Sequence, residues 1–399
     1  METVARLDAG LSVESHDWTE WSQLAPQWSA LAAACDHATF FSTAEWVETW
    51  LDVFGPLLQP AVLLFRGPGN DVVGACVLVR RNVRKGPFLI RRVYINTAGE
   101  SDDDSPCIEF NELLCKPGHE HGMAVALKSF LDGGPSWDEL SAPGMLGGAS
   151  LQGLQEAFTG LHIDDMEKHS YFVALDEVRR SGKSFVDTLA SRERTRYRQN
   201  IRKYSEIGDL VLDEASTVEQ ALAYLDALAI LHQQTWTSRG QPGSFASATF
   251  YDFHRRLIAR CFPLGGIQLV HLRAGESTIG YHYNFVHNRR SYFYQCGYDY
   301  SLGEKTSPGV IVHASTIEQC LQKDLACYEF MAGDIEYKRR LGTGSRPMHW
   351  ITWQASTMKM RGYEVARHAK RAVRERSLEL RSMMAGSLRG LVSPLRGNG

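Results

Sequence analysis

The stretch that decides the fold runs from Ser291 to Gly342 and reads SYFYQCGYDYSLGEKTSPGVIVHASTIEQCLQKDLACYEFMAGDIEYKRRLG. Its first part, Ser291–Tyr298, is rich in aromatic residues and predicts a β-strand. A glycine-containing loop follows, and apolar periodicity from near Val310 predicts a helix. A second short strand, Cys327–Met331, leads into a glycine and the polar segment Asp334–Lys338. Strand, glycine loop, helix and strand in this order predict a seat for an anionic cofactor at a helix N-terminus.

The loop before the helix is the predicted anion cradle. Glycine lets the backbone approach a phosphate closely, lysine adds positive charge, and hydroxyl side chains donate hydrogen bonds. Pro308 suits the helix start, because its missing N–H is not needed there. An ordinary capped helix after a loop is the alternative, since short glycine patterns are weakly specific. The predicted cofactor-binding residues are Gly303, Lys305, Thr306, Ser307 and Gly309.

Three polar residues after the second strand are candidate catalytic groups. The spacing of Asp334, Tyr337 and Lys338 places them on one face if they begin a helical turn. Asp334 is the candidate base that takes a proton from an amine or hydroxyl, and Tyr337 is a candidate acid. Lys338 would hold an anionic group. In the alternative interpretation, Asp334 caps a helix and Lys338 pairs with it.

Further candidates lie at the end of the first strand and on an upstream helix. Ligands of open α/β sheets gather where strands end, so we predict Tyr298 as a second candidate acid and Asp299 as a substrate-binding residue. Asp299 alternatively only opens the loop as an Asx-turn. His232 and Trp236 lie one turn apart and would shape an acceptor pocket, although a helix histidine is commonly a structural hydrogen-bonding group. The strand histidines lack ligand-like spacing, so we expect no metal site.

The chain before this stretch follows a similar order of elements: helix, hairpin, strand, loop, helix and strand. We therefore predict an α/β fold with two related tandem domains, residues 1–176 and 177–358, each with a central mixed sheet. The first domain has the acid-rich segment Asn96–Pro106 where the second has its glycine loop. Those acids would repel a pyrophosphate, so only the second domain is predicted to bind the cofactor. A further strand is predicted at Ile108–Leu114.

The composition is that of a soluble globular protein, with 399 residues of which 44% are hydrophobic and 22% charged. The net charge of −3 gives no global attraction to nucleic acid. The Arg-rich stretch Arg192–Lys203 would suit a phosphorylated acceptor or nucleic acid, but a solvated helix face is the simpler interpretation. Scattered cysteines, the lack of a signal-like N-terminus and the lack of a long apolar run favour a cytoplasmic location.

The C-terminal residues 359–399 differ from the rest of the chain. They carry ten Lys or Arg residues and three acidic residues. Apolar residues recur mostly at three- or four-residue spacing, which predicts a basic amphipathic helix. Such a helix docks on its own domain, frays, or makes a weak contact with an anionic membrane surface.

A resemblance to a known family rests on the pattern GYD, then PG and a helix, then G-x-x-x-YK. It is similar to the second half of the GNAT acetyltransferase superfamily, and within it to the CelD-type (cellulose-biosynthesis-associated) acetyltransferases, which are related to FemAB-type peptidoglycan aminoacyltransferases. The similarity covers roughly Phe40 to Trp353. One departure is Tyr328-Glu329-Phe330, where the family usually has Asp between aromatic residues. The residues that carry the resemblance are Gly297, Tyr298, Asp299, Pro308, Gly309, Gly333, Tyr337 and Lys338.

The resemblance implies tandem GNAT-like domains, the first of them degenerate, and an acyltransferase, most simply an N-acetyltransferase. It would move an acyl group from acetyl-CoA or another acyl-CoA, without a metal, to an amine or hydroxyl of a small-molecule or envelope-polysaccharide precursor. Backbone N–H groups near Tyr298 would stabilise the oxyanion. Two alternatives stay open. One is a FemAB-like aminoacyltransferase that uses aminoacyl-tRNA, and the other is a non-catalytic assembly factor in exopolysaccharide biosynthesis.

Overall fold

The computed structural model of the chain describes residues 5–6, 10–301 and 306–369. The strands are β1 (Ala5–Arg6), β2 (Ser12–Asp17), β3 (Ala61–Arg66), β4 (Val72–Lys85), β5 (Phe88–Ile95), β6 (Leu114–Cys115), β7 (Glu139–Leu146), β8 (His162–Ala174), β9 (Leu210–Glu214), β10 (Ile267–Ala274), β11 (Ser277–His287), β12 (Arg290–Tyr298), β13 (Cys327–Ala332) and β14 (Gly344–Gln354). The α-helices are α1 (Trp21–Ala33), α2 (Ala44–Leu58), α3 (Glu120–Gly133), α4 (Ala149–Ala157), α5 (Leu175–Arg180), α6 (Phe185–Thr188), α7 (Ser191–Ser205), α8 (Val218–Ser238), α9 (Ala248–Cys261), α10 (Pro308–Gln322) and α11 (Glu336–Leu341).

The described strands join one mixed sheet in the order β1-β2-β3-β4-β5-β7-β14-β8-β13-β12-β11-β10-β9, with β6 beside β4. The same unit occurs twice. In each half, three antiparallel strands (β3–β5 or β10–β12) are followed by a helix and a strand parallel to the third. The predicted α/β fold class with repeated halves is thereby confirmed.

The two halves exchange their last strands. Strand β14, from the second half, lies between β7 and β8, and β8, from the first half, pairs with β13 of the second half. A cut between residues 176 and 177 would therefore separate strands that pair with each other. The boundary at that point stays a prediction.

An aromatic core also joins the halves. The ring of Phe40 stacks on that of Phe285 with centroids 4.3 Å apart, and Phe41 and Trp46 meet Phe285 edge-on. All four side chains are buried. Because burying one such side chain stabilises by about 1.5–3 kcal/mol, these contacts make the junction of the halves part of the core.

The predicted strand at Ile108–Leu114 is wrong. Only Leu114 of this segment is in a strand, and Phe110 has a positive φ of 52° that breaks the extended conformation. Ile108, Phe110 and Leu113 are nonetheless buried. Asn111 Nδ2 donates to the carbonyl oxygen of Pro143 at 2.9 Å, which fixes the segment as a buried connection. The apolar pattern indicated burial, and not strand pairing.

Residues 358–369, which include the start of the predicted tail, are helical and dock on the first half of the chain. Lys359 pairs with the buried carboxylate of Asp138, and the ring of Tyr363 packs edge-on against Phe88 with centroids 5.7 Å apart. Residues 370–399, with most of the predicted amphipathic stripe, lie outside the described residues. Contact of this tail with a membrane surface therefore stays a prediction. Within the described ranges, no helix is long and apolar enough to cross a membrane.

Candidate active site

The candidate site opens where two parallel strands separate. Strand β12 pairs with β13 only along Arg290–Tyr292 and Cys327–Glu329. Beyond Tyr292, side chains of β12 line a cavity of about 590 Å³. Helices α8 and α10 and the start of α11 complete its walls. This volume is within the range of small-molecule sites, and its position at the strand ends is where α/β sheets bind ligands.

One end of the cavity is formed by the start of α10. Pro308 occupies the beginning of the helix, and no side chain caps it. Thr306, Ser307 and Gly309, three of the predicted cofactor-binding residues, line the cavity. Gly303 and Lys305, the other two, lie outside the described residues. The uncapped N–H groups and the positive end of the helix dipole favour an anion here.

Arg196 adds a positive charge at this end. It extends from α7, and its Nη2 donates to Ser307 Oγ at 2.8 Å while the side chain lines the cavity. Asn200, one turn later on α7, accepts the Ser307 N–H at 2.8 Å. The sequence favours a solvated face for this helix, whereas in the structure Arg196 and Asn200 contact the loop before α10. The helical spacing of Arg196 and Asn200 was the available indication that one face of α7 meets the loop.

Tyr298 lines the cavity and belongs to a chain of hydrogen bonds that continues through the buried residues His282 and Thr316. Thr316 Oγ1 donates to the Val312 carbonyl at 2.7 Å, so its oxygen accepts from Nδ1 of His282 at 3.4 Å. His282 Nε2 then accepts from the Tyr298 hydroxyl at 2.8 Å. We assign these proton positions from the network. The direction of donation is thus set by the Thr316 bond to the backbone.

A second histidine continues the chain on the other side of Tyr298. The Tyr328 hydroxyl lies 3.1 Å from Nδ1 of His313, and Nε2 of His313 lies 3.5 Å from the Tyr298 oxygen. Burial lowers the pKa of His282 to about 3 and holds that of His313 well below its usual value. Burial likewise raises the pKa of Tyr298 well above 10. Both histidines are therefore neutral at pH 7, and Tyr298 keeps its proton.

Lys338 is a buried lysine that lines the cavity, with 6% of its surface exposed. Its Nζ donates to the carbonyl oxygens of Ala332 at 2.7 Å and Met331 at 3.3 Å. The pairing of β13 with β8 is irregular here, and Met331 has a left-handed φ of 63°. Burial lowers the pKa of Lys338 to about 8. A neutral amine is thus accessible near physiological pH.

A carboxylate from the first half supports this lysine. Glu109 Oε2 accepts the N–H of Ala332 at 2.7 Å. The carbonyl of the same Ala332 accepts from Lys338, so both backbone polar groups of this residue are held. Burial raises the pKa of Glu109, and its negative charge opposes the loss of the Lys338 proton. The sequence analysis missed Glu109, which lies 223 residues from Ala332 in the chain.

The predicted acceptor residues lie on α8. His232 is buried, with Nδ1 3.2 Å from Gln233 Oε1, and Trp236 is half-exposed with its ring 5.8 Å from that of His232. Both line the cavity, together with Tyr337, whose ring stacks on His313. The structure thus brings His232, Trp236, Tyr298, Tyr337 and Lys338 to one cavity.

Two predicted residues do not join them. Asp334 is exposed, does not line the cavity, and accepts the Tyr171 hydroxyl at 2.8 Å. It caps no helix either, since α11 begins after Ile335. Asp299 is outside the lining, and its Oδ1 accepts the Ser301 N–H at 2.8 Å, which is the Asx-turn geometry of the alternative interpretation. Across the described residues, no cluster of three or more His, Cys, Asp or Glu side chains has metal-ligating geometry.

Comparison with known proteins gives a family match for part of the chain and structural similarity over most of it. Residues 191–339 match the family model described as an acetyltransferase (GNAT) domain. A search of curated proteins gave no match. Among solved structures, FemX aligns over 86% of this chain and 98% of its own, with 10% identity and a TM-score of 0.55.

Two further structures are similar at lower scores. A tandem GNAT protein from the clavulanic acid biosynthesis pathway aligns over 86% of this chain and 98% of its own, with 14% identity and a TM-score of 0.44. A conserved protein of unknown function from Bacteroides thetaiotaomicron aligns over 89% of this chain and 100% of its own, with 9% identity and a TM-score of 0.47. The narrower resemblance to CelD-type proteins stays a prediction. Residues 191–339 are thus similar to a GNAT acetyltransferase domain, and the chain as a whole shares its fold with FemX.

Proposed function

We propose that this chain is an acyl-CoA-dependent acyltransferase, most simply an N-acetyltransferase. Its acceptor would be an amine or hydroxyl of a small-molecule or envelope-polysaccharide precursor. The observation that carries the proposal is the cavity between the separated strands. It brings together an anion-binding helix start, the tyrosine packed against it and a buried lysine.

The residues at the cavity fit a CoA-type ligand. Its phosphates would lie at the start of α10, near Gly309 and Ser307, with Arg196 as the charged partner. Its pantetheine would lie between the separated strands. Such a ligand supplies an activated thioester carbonyl. The cavity's part is to hold acceptor and thioester in contact, which converts a bimolecular reaction into a local one.

Proton transfers are assigned to Lys338 and Tyr298. As an acceptor nitrogen or oxygen bonds to the acyl carbon and the carbon–sulfur bond breaks, the acceptor's proton passes to the neutral amine of Lys338. Tyr298 gives its hydroxyl proton to the departing sulfur, and the His313 N–H stabilises the phenolate. Tyr337 is the alternative acid. Lys338 takes the role first predicted for Asp334, because Asp334 lies outside the cavity.

Calorimetry tests the donor class. Acetyl-CoA is titrated into the wild-type chain and into Arg196→Gln, with Arg192→Gln, an exposed residue of the same helix, as the control. We expect binding by the wild type and the Arg192 variant, and at least about tenfold weaker binding by Arg196→Gln, since a charge-assisted hydrogen bond contributes about 1.5–3 kcal/mol. Absence of CoA binding to the folded wild type would overturn the proposal.

A FemAB-like aminoacyltransferase is the second candidate. It is favoured by the exposed positive charges of Arg192, Arg198 and Arg202 on α7, the helix that also carries Arg196. Titration with aminoacyl-tRNA separates the two. Salt-sensitive binding of tRNA without CoA binding would favour this candidate. Binding of neither ligand would favour the non-catalytic assembly role.

A further inference from the structure

A second cavity, of about 490 Å³, lies at the junction of the two halves. Arg290 at the start of β12 and Arg346 on β14 both line it, and so does the start of α4 in the first half. Arg290 and Tyr298 are at opposite ends of β12, about 26 Å apart at ~3.3 Å per residue. This cavity is therefore separate from the candidate active site.

The two arginines are held by one buried acid. Glu329 has no exposed surface, and its Oε1 accepts from Arg290 Nη1 at 2.7 Å and from Arg346 Nη2 at 2.5 Å. Arg346 also lies over the ring of Phe172, 4.4 Å from its centroid. Two guanidinium groups share one carboxylate, which leaves one positive charge in excess. Both guanidinium groups are held in place before a ligand binds. Binding a ligand therefore costs little side-chain entropy.

The contacts of Glu329 give a role to a residue that stands where the similar family usually has Asp. The acid of β13 that differs from the usual aromatic-Asp-aromatic pattern does not face the active-site cavity. It orients the arginines of the second cavity instead. Because Arg346 is on the exchanged strand β14, the site exists only through the exchange.

The rest of the lining suits a small anion-bearing molecule. Helix α4 begins at Gly148 without a side-chain cap, and Ala149 and Ser150 of its first turn line the cavity. Asn288, Tyr292 and His37 add polar and aromatic groups. Asp36, Glu112 and Glu120 also line it, and their carboxyl groups oppose a second anionic group on the same ligand.

We propose that this cavity binds a small molecule with a single phosphate or carboxylate group, which contacts Arg290 and Arg346. The volume is sufficient for a body of monosaccharide size attached to that group. The proposal is independent of the transferase activity, because it uses none of the residues assigned to the active site.

Titration calorimetry with three probes tests it: inorganic phosphate, acetate and glucose 1-phosphate. The protein is the full chain carrying Arg196→Gln, so that anion binding at the other cavity is weakened. Arg290→Gln and Arg346→Gln are compared with Arg289→Gln. The control residue is adjacent in sequence and exposed, and it pairs with Asp176 and Asp324 outside the cavity.

We expect at least one probe to bind, with affinity reduced tenfold or more by Arg290→Gln and by Arg346→Gln but unchanged by Arg289→Gln. A preference for phosphate over acetate identifies the anionic group, and tighter binding of glucose 1-phosphate shows that the cavity holds the attached body. Melting curves check folding. If the Arg346→Gln variant does not fold, the affinity of the Arg290→Gln variant, changed at a half-exposed residue, tests the proposal by itself. No binding of any probe at millimolar concentration, or an equal loss in the Arg289 variant, overturns the proposal.

Discussion

The ring of Tyr298 lies directly against the backbone of Gly309. A Cβ placed at Gly309 would be 3.2 Å from Cε2 and Cζ of that ring and 3.4 Å from its hydroxyl oxygen. Glycine at this position therefore serves the placement of the tyrosine as well as the approach of a ligand to the start of α10. The predicted anion cradle and the candidate acid are one structural unit.

A side chain at Gly309 should accordingly impair both turnover and CoA binding. Gly309→Val would displace the Tyr298 hydroxyl from His282 and obstruct the helix start. We expect acetyl-transfer turnover to fall at least about tenfold, since small misplacements of reacting groups are costly. Gly122→Ala on α3 is the matched control, because its Cβ would meet only Leu11 at 3.7 Å. Unchanged turnover and CoA affinity in a folded Gly309→Val protein would place the reaction elsewhere.

The two cavity tyrosines can be separated by removing one hydroxyl at a time. Tyr298→Phe keeps the ring on Gly309 but removes the hydrogen bond to His282. We expect its kcat to fall about a hundredfold, within the range for a general acid, with CoA affinity unchanged. Tyr337→Phe should retain most activity. The opposite pattern would assign the acid role to Tyr337.

The lowered pKa of Lys338 predicts a pH-dependent rate. If the neutral amine accepts the acceptor's proton, kcat/KM should rise with pH and level off above about 8. Lys338→Arg keeps the charge but stays protonated, so it should lose activity at every pH. A wild-type profile that is flat from pH 6 to 9 would contradict the assignment.

The same shift predicts how stability depends on pH. The pKa of Lys338 is 10.5 when unperturbed and about 8 in the folded chain. Between these values the unfolded chain binds more protons, so the lysine's contribution makes the free energy of unfolding rise with pH, by up to about 3 kcal/mol. Urea denaturation of wild type and Lys338→Met at pH 8 and pH 10 measures it. The wild type should gain stability relative to the variant, and an equal change in both would refute the shift.

Asp334 supplies a test of the first sequence interpretation. It is exposed, and its contact is with the Tyr171 hydroxyl. Asp334→Asn keeps an oxygen that accepts this hydrogen bond but removes basicity. Because the residue lies outside the cavity, we expect turnover and melting temperature to stay within twofold and a few degrees of the wild type. A large loss of turnover in a stable variant would restore Asp334 as the base.

Local sequence patterns predicted the strand, loop and helix around Tyr298 because these elements are contiguous, with turn residues and periodicity in one stretch. The same reasoning placed Tyr298, Tyr337 and Lys338 in one candidate site. It favoured a solvated face for the helix that carries Arg196 and did not single out Glu109, because the contacts of both residues depend on how distant segments meet. It also misjudged Ile108–Leu114, since alternating apolar residues indicate burial whether or not the backbone pairs.

The missed residue Glu109 gives the sharpest test of how the halves cooperate. Its carboxylate is part of the first half, yet it holds the Ala332 peptide and opposes deprotonation of Lys338. Glu109→Gln retains an oxygen that accepts the Ala332 N–H but removes the charge. The pKa of Lys338 should then fall, because the charged amine loses its stabilising partner. The acidic limb of kcat/KM should move to lower pH while the structure is preserved.

Glu336→Gln is the matched control, since Glu336 is an exposed acid on α11 that faces Arg340. Its pH profile should coincide with the wild type, which excludes a general effect of net charge. If Glu109→Gln leaves the limb in place, or moves it to higher pH, then the titrating group is not under the influence of Glu109. Lys338 would then be disqualified as the group that sets the limb, because Glu109 lies next to the peptide that Lys338 binds. A shift in the expected direction would show that the first half sets the protonation of Lys338 in the second.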